Sequence, residues 1–231
     1  MVARHALCFV ALLPALIAGP RLVATAPATA EAAEQSMKQF LAQGDAPHAY
    51  RAVRRLEARH GNSTGWMEAR TEFSPTAGFR YEVLAEGGSS QLREKALRAV
   101  LEGERALVEK GGIPRSSLAP CNYEFQATGI DPQGLATVLL SPRRKEHVLV
   151  AGTLFLRPVD GEIVRVQGRL AKSPSFWVKT VDIVKSYDRI EGVVMPVALE
   201  SNAELRLFGD ATLRMTWKYD EIDGRRVQTG R

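Results

Sequence analysis

Cysteine is nearly absent from this chain: there are two, Cys8 and Cys121, in 231 residues. Cys8 sits at the start of an N-terminal apolar run, so a chain processed beyond it keeps one thiol and can form no intramolecular disulfide. No His or second Cys stands next to Cys121 in sequence to activate it, and it reads as a half-buried structural residue. His48, His60 and His147 are far apart, with no H-E-x-x-H motif and no Cys pair, so the ligand cluster of a zinc site is missing. A phosphate loop and a dinucleotide fingerprint are missing too, and no cofactor is expected. Beyond the N-terminus no run reaches the eighteen or so apolar residues of a membrane helix. A strong charge of one sign is also lacking. The formal charge is +5, and without the first thirty residues, which carry Arg4 and Arg21 and no acid, it falls to +3. That is too small and too dispersed for a nucleic-acid partner.

Apolar content of 45% and charged content of 25% are ordinary for a globular protein and exclude disorder over most of the length. The first thirty residues have the form of a secretory signal. Arg4 and His5 make a basic start, Ala6 to Ala18 is apolar apart from Pro14, and Ala28-Thr29-Ala30 is a small-residue cleavage site. Pro14, Gly19-Pro20 and Arg21 cut the run too short for an anchor, and no Cys follows the small residues to accept a lipid. The expectation is an exported, periplasmic protein with no integral membrane segment and a single domain over residues 31–231.

That domain is organised by His147 to Asp223, five long segments of alternating character. Val164, Val166, Gly168 and Leu170 share one side of a pleat against Arg165, Gln167 and Arg169. Val197, Leu199, Ser201, Ala203, Leu205 and Leu207 repeat the pattern, as do Ala211, Leu213, Met215, Trp217 and Tyr219. A period of two means strands with one apolar and one wet face. Asp160-Gly161, Glu191-Gly192, Gly209-Asp210 and Asp223-Gly224 separate or close the segments with residues that reach positive φ, so the segments form an antiparallel meander. Val148 to Leu156 is apolar on both faces, which predicts a central strand beneath a helix.

Upstream, a short helix is expected over Glu31 to Gly44. Asp45-Ala46-Pro47 looks like a cap and first turn, and predicts a helix to about His60 with Tyr50, Val53 and Leu56 as its stripe and an arginine-lined opposite side. Trp66 to Phe73 and Phe79 to Ala85 form a hairpin across Ser74 to Gly78. Another helix starts at Ser89 or Ser90, and its wide apolar surface predicts cover on more than one side. Tyr123 to Gly129 and Leu135 to Leu140 pair across Asp131 to Gly134. The sum is an α+β fold, one strongly curved antiparallel sheet with about two helices on one face.

Gly61-Asn62-Ser63-Thr64-Gly65 spells G-x-S-x-G, but a nucleophile elbow must follow a strand and open a helix. Here a helix is expected before it and a strand after it, so it reads as a turn that also contains a formal glycosylation acceptor. Asp220, Glu221 and Asp223 miss the spacing of a calcium loop and suit a hairpin. Arg143-Arg144-Lys145 falls at a strand-to-strand turn, where it would be solvated or meet anionic headgroups. Phe176-Trp177 opens a strand with two large aromatics on opposite faces, one expected in the core and the other exposed or lining a cavity. The catalytic inventory is empty, and no enzyme is expected.

Gly168 to Trp177, then Tyr187-Asp188-Arg189-Ile190 and Gly192 to Val197, resemble exported bacterial proteins of the LolA-like, outer-membrane lipoprotein-sorting type. The resemblance covers roughly Tyr123 to Gly224. It implies an unclosed β-barrel with helices on an apolar concave face, carrying or sensing acyl chains of lipids or lipoproteins. The polar residues that govern lipoprotein release in that group match no positions here. The expected lining is Val164, Val166, Leu199, Leu205, Leu213, Met215 and Trp217; a core fully packed under the helices would produce the same alternation. The alternative function is a non-enzymatic envelope interaction or sensor module with a protein partner.

Overall fold

The structure, a computed structural model, describes residues 26–44, 48–207 and 209–228. Helix α1 (Ala26–Gln43) precedes strands β1 (Tyr50–His60), β2 (Ser63–Ser74) and β3 (Gly78–Gly88). Helix α2 (Ser90–Leu92) runs through a π-helical turn, Arg93–Arg98, into α3 (Ala99–Glu109), and α4 (Ile113–Ser116) is a single turn in the linker. Then come β4 (Tyr123–Ile130), β5 (Ala136–Pro142), β6 (Val150–Leu156), β7 (Ile163–Leu170) and β8 (Val178–Ile190). The chain closes with β9 (Val193–Leu205), β10 (Gly209–Ile222) and β11 (Arg225–Arg226). The predicted signal lies outside the described residues as far as residue 25, and its small-residue end is the first turn of α1.

All strands join one antiparallel sheet in the order β3-β2-β1-β10-β9-β8-β7-β6-β5-β4, with β11 on β10. Two runs of hairpins, β1 to β3 and β4 to β10, are welded by the long-range β1–β10 pairing. β3 and β4 are the two ends, so the curved sheet does not close, as expected. Type I′-like turns close the long hairpins: Glu191 and Asp223 sit at φ 49° before Gly192 and Gly224. Helix α1 packs on β4, β5 and the rim of β6, and α2–α3 packs on β1 to β3. The apolar residues accordingly form two main clusters. One, around Val138, Leu154, Leu156 and Val166, lies under Met37 and Phe40 of α1. The other, around Leu56, Met67, Phe79 and Met215, lies under Leu97 and Leu101.

Glycine sets two close approaches. A Cβ on Gly161, at φ 69°, would fall 2.7 Å from the Ser36 carbonyl oxygen, so only glycine lets α1 lie against that turn. Gly152 and Gly168 are directly paired, and a Cβ on either would meet the partner strand's backbone oxygen at 2.1 or 2.2 Å. Their absence of side chains draws β6 and β7 together.

Three expectations change. Residues 50–60 are a strand and not a helix; the expected cap, 45–47, lies outside the described residues. The burial of β1 alternates, with Ala52, Arg54, Leu56 and Ala58 all inward. The period of two is hidden because its most buried long side chain is an arginine. Arg54 is 1% exposed and makes a two-pronged ion pair with Glu104 of α3, at 2.5 and 2.9 Å. It also donates to the Tyr50 hydroxyl and lies over the rings of Phe79 and Trp217 at 5.0 and 5.1 Å. Second, β6 lies beneath α1 but near one end of the sheet, and its other face is open: Ala151 is exposed and Phe155 lies under the Arg165 guanidinium. Third, the helix after Ser89 is covered on one side only. Leu97 and Leu101 are buried while Ala99 and Gly103 are exposed; Ser89 does accept from the Leu92 amide, at 3.5 Å.

Removing Glu104 strands a buried guanidinium. Glu104→Ala is expected to cost about 3 kcal/mol, at the low end for a broken buried pair because the carboxylate is partly in water. The double change Arg54→Met/Glu104→Leu should cost less than Glu104→Ala alone, as read by urea unfolding. Burial also raises the Tyr50 and Tyr219 hydroxyls above the ordinary phenol value. A raised acid contributes stability that is complete below its unfolded value of about 10 and is lost as the pH climbs toward its folded value. Unfolding free energy should therefore fall from about pH 10 upward, and less steeply in Tyr219→Phe.

Candidate functional site

Between the two helix-covered clusters the concave face crosses β7 to β10. The register fixes which side chains share that face. One cross-strand row reads Val166–Lys185–Leu199–Met215 and continues onto Leu56. The next reads Gly152–Gly168–Ile183–Ser201–Leu213–Ala58. Small residues dominate the second row, so the middle of the concave face is shallowly filled. No helix covers β7 to β10, among the described residues, to the extent seen on β4–β6 and β1–β3. Leu199, Leu213 and Ile183 are half-buried rather than buried, although each touches one of the two clusters. The result is a trough with apolar walls and a floor of Gly168, Ser201 and Ile183.

The expected lining residues are divided by this arrangement. Val166 belongs to the cluster under α1. Met215, Leu199, Leu213 and Trp217 belong to the cluster under α3, with Met215 buried and the other three half-buried. These five flank the trough from its two sides. Val164 does not follow: β7 carries a bulge opposite Phe155–Leu156, and Ile163 takes the inward place beside Leu156. Leu205 lies at the end of β9, paired with Gly209 and Val178, away from both clusters.

Sequence reasoning missed Lys185. It lies opposite Leu199 and Val166 on the concave face, half-buried, with its Nζ 5.2 Å from the centre of the Tyr187 ring. Among the described residues it is paired with no carboxylate, which sets it apart from most cations of the sheet. The alternation within β8 is the signal that could have found it, since Val181, Ile183, Lys185 and Tyr187 share one parity.

A cleft of about 670 Å³ opens on the opposite face of the same strands. Its walls include two outward rows, with Gln167, Glu200 and Arg214, and Arg169, Asp182 and Asn202, and between them it is also lined by Gly168, Ile183, Ser201 and Leu213 of the row that faces the trough. Arg169 grips Asp182 at 2.8 and 3.0 Å, and Arg214 lies 3.5 Å from Glu200. Charges already paired with one another offer little to a charged ligand.

G-x-S-x-G is the tight turn of the β1–β2 hairpin. It follows a strand rather than the expected helix, and because it opens a strand it lacks the elbow geometry. Among the described residues no group of three or more His, Cys, Asp or Glu could hold a metal. No helix is long and apolar enough to cross a membrane.

No family model matches the chain, and no curated protein does. Among solved structures it is similar to a LolA superfamily protein from Nitrosomonas europaea, at 9% identity, over 85% of this chain and 94% of that one, with a TM-score of 0.41. It is also similar to a DUF1329 family protein from Desulfovibrio piger, at 10% identity, over 84% and 93% of the two chains, with a TM-score of 0.38.

Hydrogen bonds from Arg169 hold the Asp182 carboxyl below the ordinary carboxylate range. In Arg169→Gln that carboxyl should titrate higher, back toward the ordinary carboxylate range. A carbon-13 NMR titration of Asp182 that shows no upward move would remove the pair from the outer wall.

Proposed function

We propose that the protein binds the acyl chain of a lipid or lipoprotein in the trough between its two helix-covered clusters, and does so outside the cytoplasm. The observation that carries this reading is the uncovered middle of the concave face, where Ile183, Leu199 and Leu213 stay half in water. The signal-like N-terminus supports export, to the periplasm of a bacterial host. An envelope module that grips a protein through the outer face has less behind it, because the charges there are spent on one another.

Magnitudes set what such a trough can hold. Burying a methylene contributes about 0.8 kcal/mol, and association costs at least about 4 kcal/mol. Ten fully covered methylenes therefore leave about 4 kcal/mol, a millimolar affinity. Micromolar binding needs a chain of about sixteen carbons covered on most of its surface. Lys185 adds a place for an anionic head, a carboxylate or phosphate, against the Tyr187 edge of the trough.

Displacement of a fluorescent fatty acid tests the reading. Affinity should rise about two- to fourfold with each added methylene up to the length of the trough. Ser201→Phe, which fills the floor, should weaken binding at least about tenfold without loss of fold. Lys185→Met should weaken a fatty acid while leaving the matching fatty alcohol unchanged. Equal binding of short and long chains, or indifference to Ser201→Phe, would sink the proposal.

A further inference from the structure

The antiparallel order sends every other connection to the same end of the sheet, and the two ends differ in charge. At one end lie the turns β1–β2, β5–β6, β7–β8 and β9–β10, with residues 61–62, 143–149, 171–177 and 206–207. Their charged residues are Arg143, Arg144, Lys145, Lys172 and Arg206, against Glu146 alone. At the other end the turns β2–β3, β4–β5, β6–β7, β8–β9 and β10–β11 carry Asp131, Asp160, Glu162, Glu191 and Asp223 against Arg157. Arg157 and Arg189 pair with Asp160 and Glu162, and Arg225 and Arg226 of β11 flank that end, so it is only weakly acidic. Along its strands the molecule is thus uneven in charge, clearly basic at one rim and weakly acidic at the other.

The basic rim also carries a projecting apolar tip. Phe176 is 74% exposed, Trp177 55% and Leu207 71%, three of the largest exposed apolar side chains in the described chain. The tip is built rather than loose. The Phe176 and Trp177 rings meet edge-on at 5.4 Å, and Arg206 donates from its Nε to the Phe176 carbonyl at 2.7 Å. The Arg206 amide donates to the Trp177 carbonyl at 3.0 Å, locking the β7–β8 loop to the β9–β10 turn. On the other flank the Ala171 amide donates to the Leu149 carbonyl at 2.8 Å, which ties the same loop to the Arg143–Lys145 turn. Glu146 is occupied by Arg115 and Arg144 at 2.6 and 2.7 Å, so it does not offset Lys145 or Lys172 at the surface.

Aromatic rings with one polar end, an aliphatic side chain and surrounding Arg and Lys are the composition that settles at a bilayer interface. Each basic residue near an anionic leaflet adds attraction that salt screens. We infer that this rim docks the protein reversibly on an anionic lipid bilayer, with Phe176, Trp177 and Leu207 entering the headgroup region and Lys145, Lys172 and Arg206 meeting lipid phosphates. The acidic rim faces away, which fixes the orientation. The inference stands apart from the acyl-chain reading, because it concerns an outer rim rather than the trough.

Co-sedimentation of the purified protein with vesicles tests it. One set is phosphatidylcholine, and in the other about a third of the lipid is phosphatidylglycerol. The protein should sediment with the anionic set, stay largely free with the neutral set, and be released by raised salt. Phe176→Ser/Trp177→Ser/Leu207→Ser should lower the bound fraction about tenfold or more, and Lys145→Gln/Lys172→Gln should lower it on the anionic set only. Val159→Ser, an exposed apolar residue at the acidic rim, should change nothing. In the unaltered chain, bromine-labelled anionic lipid should quench tryptophan emission, a reading that needs no variant. Failure of the unaltered protein to bind anionic vesicles, equal binding to both sets, or a triple variant that binds as before would each overturn the inference. Vesicle binding that persists while fatty-acid displacement fails would leave the rim standing and discard the trough.

Discussion

Arg54 is the interaction on which the arrangement depends. A guanidinium taken out of water costs several kcal/mol, and it is tolerated only because Glu104 reaches down from α3 with both carboxylate oxygens while Tyr50, Phe79 and Trp217 crowd around it. Those partners come from β1, β3, β10 and α3. One side chain therefore ties the N-terminal hairpins, the last long strand and the helix into a single unit. It also sets the position of α3: a helix that must deliver Glu104 to Arg54 cannot slide toward β7–β10. The uncovered middle of the sheet follows from where that ion pair holds the helix.

The same residue explains where the sequence misleads. In Tyr50–His60 the inward set is Ala52, Arg54, Leu56 and Ala58, which contains two alanines and a charge, so the alternation that marks a strand is lost and the helix-forming alanines and arginines dominate the reading. Only Glu104, about fifty residues further on, makes Arg54 an inward residue, and no local window contains both. The β4–β10 meander was legible because each of its segments carries its own alternation and its own turn, with Glu191-Gly192 and Asp223-Gly224 at the positive φ values they favour. Within it the errors are the central place expected of β6 and single residues. Val164 was displaced by a bulge, and Lys185 was overlooked because attention to apolar positions passes over a cation in an apolar row. The β1–β10 weld, which joins residues more than 150 positions apart, has no sequence signal at all.

A cross-strand row of small residues accounts for much of what the sheet can do. In register it runs Gly88–Gly65–Ala58–Leu213–Ser201–Ile183–Gly168–Gly152. At one end its bareness admits a helix: a Cβ on Gly65 would stand 3.0 Å from the Leu92 Cβ and 3.3 Å from the Ser89 carbonyl oxygen. At the other it draws two strands together at Gly152 and Gly168. In the middle, around Ser201, no helix uses it. A row with small residues at Ser201, Gly168 and Gly152, covered by a helix only at its first end, leaves the middle of the face open beside the row Met215–Leu199–Lys185–Val166. An apolar core would fill such a place with leucine or phenylalanine, as it does three and four strands away at Leu154 and Leu140. Serine at position 201 fills less space than a leucine would, at a place where the flanking leucines are half in water. A monomer that leaves this surface open loses part of the hydrophobic stabilisation its own sheet could supply. On the proposed reading an apolar ligand entering there would regain it, and binding in the concave trough would be coupled to the stability of the fold.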